Sequence, residues 1–114
     1  MVNGPTAGSA TSNFPRGIET SVEWTTEMMR HIFEQQATRV EVTREAELAW
    51  TDHIREMYSM LLVHHSPSWM NGYNSNVEGY DKGDRFIIYA GGLPRYRSEL
   101  DECAQGAYAE FVLE

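Results

Sequence analysis

Two adjacent histidines and the aromatic residues that follow them are the side chains best suited to chemistry in this sequence. His64 and His65 end a predicted helix, where a cation suits the helix dipole, and they border a loop at 66–84 that is rich in glycine and asparagine. Trp69 and Tyr73 lie in that loop, and aromatic rings in such a setting suit a flat ligand, with packing as the alternative. We expect the histidines to be acid/base candidates beside a ligand site.

The other titratable side chains have simpler interpretations. His53 falls on the apolar stripe of a predicted helix and is expected to be a partly buried, hydrogen-bonded histidine rather than a base. Glu27 and His31 are four residues apart and could meet, but two ligands do not hold zinc, so no metal site is predicted. Cys103 is the only cysteine, which excludes an internal disulfide, and we expect it to pack as a small hydrophobic residue.

A single domain over 1–114 is predicted to position these residues. It divides into a loop at 1–17, two helices within 18–65, the loop at 66–84, and a strand with a terminal helix within 85–114. The fold class is mostly α with a small β element (α+β), with three helices and one or two short strands.

The three helices rest on periodicity and capping residues. The first spans about 18–36, the second 44–63 with Thr43 as its N-cap, and the third 94–108 starting at Pro94. The apolar residues of the first helix are Ile18, Val22, Met28, Met29, Ile32 and Phe33. Their spacing is typical of a face that packs on a core.

The strands raise a problem of pairing. The near-continuous apolar run at 85–90 predicts a buried strand, and 111–113 predicts a short final one. A strand and a half cannot form a stable sheet alone. The remaining partner is therefore expected in another chain or in a larger parent protein.

The composition fits a small soluble domain and excludes several classes of partner. The 114 residues carry a formal net charge of −8, which repels nucleic-acid phosphates and anionic membrane surfaces. The first residues lack the basic start and apolar run of a signal peptide, and no apolar run approaches the ~20 residues that span a bilayer. We expect a cytoplasmic protein that binds neither nucleic acid nor membrane.

Four blocks of residues, in order, resemble the C-terminal part of Baeyer–Villiger-type flavin-containing monooxygenases, most closely the fungal members of secondary metabolism. The blocks are Asn3-Gly4-Pro5 with Ser12-Asn13 and Val22-Glu23-Trp24; Glu45-Ala46-Glu47 with Ala49-Trp50; Ser68-Trp69 with Gly72 and Asn74; and Tyr89 with Gly91-Gly92, Tyr96-Arg97, Gly106 and Phe111. The family ends in Gly-Tyr-x-Gly-Phe. This chain departs from that ending, with Gly106-Ala107-Tyr108-Ala109-Glu110-Phe111.

The resemblance implies a truncated piece of an enzyme with two dinucleotide-binding domains. It makes 1–17 a flavin-side loop in which Asn13 and Phe14 approach the cofactor, and it makes the loop at 66–84 a control loop in which Trp69 and Asn74 approach the nicotinamide. The family uses FAD and NADP, held by Gly-x-Gly-x-x-Gly fingerprints. The chain has neither fingerprint, so we expect the isolated chain to hold no cofactor.

Three functions are compatible with these residues. The first is a C-terminal portion or remnant of such a monooxygenase in terpenoid or polyketide biosynthesis, not competent for flavin chemistry alone. The alternative is a free-standing, flavin-independent cyclase or isomerase acting on such a molecule; its catalytic candidates are His64, His65, Tyr73, Tyr96 and Arg97. The third is a non-catalytic partner of a full-length monooxygenase. We expect a homodimer or a complement of a larger monooxygenase chain, because apolar stripes and a strand edge would otherwise be exposed.

Overall fold

The computed structural model describes residues 4, 6–8, 12–67, 71–74, 76–78 and 88–114, with His64 described by its backbone only. The elements in chain order are helix α1 (Phe14–Glu34), strand β1 (Val40–Val42), helix α2 (Arg44–Ser59), a 3-10 turn (Leu62–His65), helix α3 (Gly92–Gln105) and strand β2 (Phe111–Leu113). Three helices with a two-stranded sheet confirm the predicted fold class. Among the described residues, no helix is long and apolar enough to cross a membrane.

Helix α1 begins earlier than its apolar periodicity predicts. The side-chain oxygen of Asn13 accepts a hydrogen bond from the backbone N–H of Arg16 at 3.2 Å, and Pro15 lies in the first turn. Both features are start signals of a helix, although the same residue types are common in loops. The predicted start at 18 is therefore four residues late.

The bounds of the other two helices also differ from the prediction. Thr43 caps α2 as predicted, since its hydroxyl oxygen accepts from the N–H of Ala46 at 3.2 Å. Helix α2 ends at Ser59, four residues short of the predicted end, and the chain continues into the 3-10 turn. Helix α3 starts two residues before Pro94 and ends at Gln105, because the following Ala107 and Tyr108 have φ near +55°, outside the helical region.

In the small sheet the final strand pairs with β1, a strand that was not predicted from the sequence. Strands β1 and β2 are antiparallel, with Val42 opposite Phe111 and Val40 opposite Leu113. The strand expected at 85–90 lies partly outside the described residues. Its described part, 88–90, is irregular chain rather than strand. The final strand therefore finds its partner within the chain, in β1, which is only three residues long.

The core lies where α2 and α3 meet the chain that precedes α3. Ile54 and Tyr89 are fully buried, and Ala7, Met57 and Tyr96 complete the buried cluster. Trp50, Ala90, Leu93 and Leu100 are partly buried around it. The core therefore joins the first described residues, two helices and the end of the loop region.

Helix α1 packs on the fold with its small and polar face rather than with its predicted apolar stripe. Its buried residues are Gly17, Thr20, Ser21 and Met28. Trp24 anchors this face by donating its indole N–H to the carbonyl of Leu100 in α3 at 2.9 Å. Most of the residues expected to face the core, namely Ile18, Val22, Met29 and Phe33, are instead exposed. Small side chains on the inner face let the two helices approach closely.

Candidate functional site

A half-open groove of about 750 Å³, here called the main groove, lies between the three helices and the sheet. Its aromatic and large apolar lining comes from Trp24, Trp50, Tyr96, Leu100 and Phe111, and its titratable lining comes from Glu47, His53, Glu99, Cys103 and Glu110. The groove combines flat apolar walls with acidic groups, which is the general character of a small-molecule site.

A carboxylate at one end of the groove gathers three hydrogen bonds. Glu99 accepts from the hydroxyl of Tyr89 at 2.8 Å, from Nε2 of His53 at 2.9 Å and from Nε of Arg95 at 2.8 Å. Its side chain is only 19% exposed. We call Glu99, His53 and Tyr89 the carboxylate clamp. It joins α2, α3 and the chain that leads out of the loop at 66–84.

Two aromatic rings pack against the Tyr89 ring of the clamp. The Trp50 ring stacks on the Tyr89 ring with centroids 5.9 Å apart and an interplanar angle of 16°. The Tyr96 ring meets the Tyr89 ring edge to face at 5.2 Å. A methyl group added at Gly91 would lie 2.6 Å from the Tyr89 hydroxyl oxygen. Tyr89 is therefore held on several sides in one position.

The loop that the resemblance places beside the flavin rests on the same ring system. A Cβ atom at Gly8 would lie 2.5–2.8 Å from three carbons of Tyr96, so only glycine permits this close approach. The Tyr96 hydroxyl also lies 3.5 Å from the hydroxyl of Ser21 in α1. Tyr96 thus contacts the first described loop, α1 and Tyr89 together.

The clamp shifts the proton affinity of two of its members. Burial alone would raise the pKa of the Glu99 carboxyl, but hydrogen bonds from Tyr89, Arg95 and His53 outweigh it and hold this pKa below its usual range. Burial, the hydrogen bond to Glu99 and the charge of Glu99 raise the pKa of Tyr89. Glu99 is therefore ionised and Tyr89 is a neutral donor near neutral pH.

Cys103 also lines the groove, and its thiol is held in the protonated form. Its thiol lies 3.2 Å from the carboxylate of Glu110. Burial, and then the hydrogen bond and charge of Glu110, raise the pKa of this thiol to about 12. The thiol stays protonated at neutral pH, which agrees with the expected packing role.

The groove does not fit the phosphates of FAD or NADP. Its lining contains the carboxylates of Glu47, Glu99 and Glu110 and no lysine or arginine among the described residues. A pyrophosphate requires backbone amides at a helix start or a cationic side chain. The groove therefore provides shape and aromatic contact but no cradle for a dinucleotide.

The structure separates the predicted acid/base residues. Tyr96 is buried and lines the main groove, while Arg97 lines a second, smaller groove and pairs with Glu23 at 3.2 Å. His65 and Tyr73 are exposed and line neither groove. The side chain of His64 lies outside the described residues. A catalytic role for these residues stays a prediction, and those whose side chains are described do not share one cavity.

The described cofactor-contacting candidates, Asn13, Phe14 and Asn74, do not line the main groove. Asn13 is occupied as the cap of α1, and Phe14 follows it with 59% of its surface exposed. Asn74 is exposed, and its side-chain oxygen accepts from the N–H of Asn76 at 3.0 Å. Trp69 lies outside the described residues. Their contacts with cofactors stay predictions.

Sequence reasoning missed the residues that organise this region. Glu99 follows Arg95 by four residues, a spacing that places the two on one helix face and was the available signal. Asn71 is buried and donates its amide to the carbonyls of Val63 and Ser66, at 3.2 and 2.8 Å. It ties the start of the loop to the 3-10 turn. His53 is partly buried and hydrogen-bonded, as predicted.

Comparison with known proteins gives consistent relatives over the whole chain. No family model matches it. The chain is 39% identical over 113 residues to phenazine N-monooxygenase PhzNO1 of Lysobacter antibioticus, which covers 99% of this chain and 20% of that protein. It is 32% identical over 114 residues to cyclohexanone 1,2-monooxygenase of an Acinetobacter species, covering 100% of this chain and 20% of the relative.

The solved structures agree with the sequence relatives. The closed crystal structure of cyclohexanone monooxygenase matches with a TM-score of 0.86 and 32% identity, over 100% of this chain and 20% of that one. One similar structure was solved in complex with FAD and NADP. The chain spans about a fifth of the length of the relatives it matches.

Proposed function

We propose that this chain acts as the C-terminal segment of a Baeyer–Villiger-type monooxygenase, in combination with dinucleotide-binding domains that it does not contain. Its homologues are Baeyer–Villiger and related flavin monooxygenases, and it corresponds to their C-terminal region. This agreement confirms the resemblance carried by the four sequence blocks. The family binds FAD and NADP.

The observation that carries the proposal is the completeness of the structural match. All of this chain superposes on one part of a closed monooxygenase, whereas most of that enzyme has no counterpart here. The part without a counterpart is where glycine-rich cradles for two dinucleotides would have to lie, because this chain has no such fingerprint. The acidic groove agrees with a division in which phosphates are held elsewhere.

We propose which residues of this segment contact the cofactors when other parts of the enzyme hold the phosphates. Phe14, exposed at the first turn of α1, would lie on the flavin side with Asn13, whose capping bond fixes the helix start. Trp69 and Asn74 would approach the nicotinamide. In the whole enzyme the flavin supplies the oxygen-transfer chemistry, and this chain would orient and shield the reacting region. We also propose that the substrate is a polyketide or terpenoid and that the protein is cytoplasmic.

A covalent graft tests the proposal. In it, this chain replaces the matching C-terminal region of the Acinetobacter cyclohexanone 1,2-monooxygenase, and the control is the same enzyme with that region deleted. We expect the graft to keep FAD through gel filtration and the deletion to lose it. A graft that keeps no more FAD than the deletion would contradict the proposal.

The isolated chain and one variant provide further readouts. Calorimetric titration of the isolated chain with FAD or NADP is expected to give no binding at micromolar concentrations, since it has no phosphate cradle. In the graft, Trp69→Ala is expected to weaken NADP binding while FAD retention stays unchanged. Equal loss of both cofactors would assign Trp69 to packing instead.

A further inference from the structure

A buried asparagine side chain holds the start of the loop at 66–84 against the 3-10 turn. Asn71 is only 7% exposed, and its side-chain amide donates to the carbonyls of Val63 and Ser66, at 3.2 and 2.8 Å. A side-chain amide carries two N–H donors, so each of them can be directed at one of these carbonyls. An apolar side chain of the same size cannot make these bonds, and an aspartate would bring an acceptor towards two carbonyl oxygens.

The two carbonyls that accept these bonds belong to a fixed part of the fold. The N–H of Leu61 donates to the carbonyl of Tyr58 at 3.0 Å, which joins the 3-10 turn to the last turn of α2. Tyr58 itself is buried. The carbonyl of Val63 also accepts from the N–H of Ser66 at 3.2 Å, which closes the turn. Asn71 is therefore held, through the turn, to the buried end of α2.

A bend and a turn follow Asn71 directly. Gly72 has φ +82°, in the left-handed region that favours glycine. Asn74 then begins a turn, in which its carbonyl accepts from the N–H of Val77 at 3.2 Å and its side-chain oxygen accepts from the N–H of Asn76 at 3.0 Å. The anchor at Asn71 and the bend after it therefore set the direction in which the chain reaches Asn74.

Asn71 lies in the sequence between the two residues that we propose to contact the nicotinamide. Trp69 precedes it by two residues and Asn74 follows it by three, and such lengths of chain span at most about 7 and 11 Å. A displacement of Asn71 is passed on to both contacts, because so few bonds intervene. We propose that Asn71 is a positioning residue, which sets where Trp69 and Asn74 meet the nicotinamide. This inference rests on the proposed function, which supplies those two contacts.

Two substitutions at Asn71 test this role in the graft. Asn71→Leu keeps the size of the side chain and removes both donors, and Asn71→Asp removes them and adds a negative charge. We expect each variant to raise the Kd for NADP at least about tenfold and to leave FAD retention within about twofold, because contacts misplaced by about 1 Å lose most of their effect. Asn76→Asp is the matched control, since Asn76 is exposed and lies in the same segment. It should leave both quantities within about twofold.

A double substitution separates positioning from general support of the fold. If Asn71 acts through Trp69, Asn71→Leu should raise the Kd for NADP by less than about threefold in a graft that already carries Trp69→Ala. Losses that multiply in full would show that Asn71 acts independently of Trp69 and would overturn the inference.

The remaining outcomes are equally distinct. A parallel loss of FAD and NADP in both Asn71 variants would mark a merely structural residue and overturn the positioning role. Unchanged NADP binding by Asn71→Leu would also overturn it, and a loss confined to Asn71→Asp would assign the effect to charge; in both cases the proposed function stands. An unsubstituted graft that keeps no more FAD than the deletion would overturn the proposed function, and this inference with it.

Discussion

The carboxylate clamp makes a sharp prediction about Tyr89. Tyr89→Phe removes one hydroxyl and leaves the stacked ring in place, so the packing on Trp50 and Tyr96 is unchanged. What is lost is a 2.8 Å hydrogen bond to the ionised carboxylate of Glu99. A hydrogen bond to a charged group contributes about 1.5–3 kcal/mol in mutational series. Glu99 keeps His53 and Arg95 as donors and some solvent, which favours a loss near the lower end, about 1–2 kcal/mol.

Urea unfolding of the isolated chain, followed by circular dichroism, measures this loss. Tyr73→Phe is the matched control, because Tyr73 is 37% exposed and undergoes the same chemical change. We expect Tyr89→Phe to lower the free energy of unfolding by about 1–2 kcal/mol and the control to change it by less than about 0.5 kcal/mol. For a domain of this size the larger effect corresponds to a melting temperature lower by about 4–8 °C.

The dependence of stability on pH gives the clamp a signature that packing alone would not produce. The folded pKa of Glu99 is lowered, so its stabilisation is present above the unfolded value of about 4.3 and is lost as the pH falls below it. The folded pKa of Tyr89 is raised, so its contribution is lost as the pH rises above about 10, where the unfolded chain ionises first. Tyr89→Phe should weaken both dependences. A variant as stable as the control, with an unchanged pH profile, would refute the clamp.

Three further predictions concern local features. The Cys103 thiol, with a pKa of about 12 beside Glu110, should react with a disulfide reagent at pH 8 at least about 100-fold more slowly than a free cysteine of pKa 8.5, and a comparable rate would contradict the burial. Ala107→Gly should raise the free energy of unfolding by about 0.5–1 kcal/mol in urea titrations, because Ala107 has φ +54°; a loss of stability would show that the strain is absent. Gly8→Ala should lower it by about 1–3 kcal/mol, because the added methyl meets the Tyr96 ring, and an unchanged unfolding curve would show that the loop moves aside freely.

Local signals predicted the parts of the fold that depend on neighbouring residues. Thr43 caps α2 as expected, because an N-cap needs only the next three residues. The paired strand β1 was missed because three residues carry too little periodicity, and its partner lies some 70 residues further along the chain. The clamp was missed for the same reason, since His53 and Glu99 are 46 residues apart. Such contacts depend on tertiary packing that no local pattern contains.

The failure at α1 has a different physical origin. Periodicity identified an apolar stripe through Ile18 and Met29. We expected this stripe to pack on the core, but it is exposed. A hydrophobic period shows that a face will be buried, and it does not show what buries it. Here the stripe is exposed, and a different face of the helix, with Gly17 and Ser21, packs on the fold.

Helix α3 brings the two halves of the candidate site into one rigid unit. Tyr96 supports Gly8, in the segment that the resemblance places beside the flavin. Glu99, one turn later, binds the hydroxyl of Tyr89, which follows the segment assigned to the nicotinamide. Side chains on adjacent turns of one helix move together, so Gly8 and Tyr89 share a fixed base. Since α1 also packs on α3 through Ser21 and Trp24, its position is coupled to that of Gly8 and Tyr89.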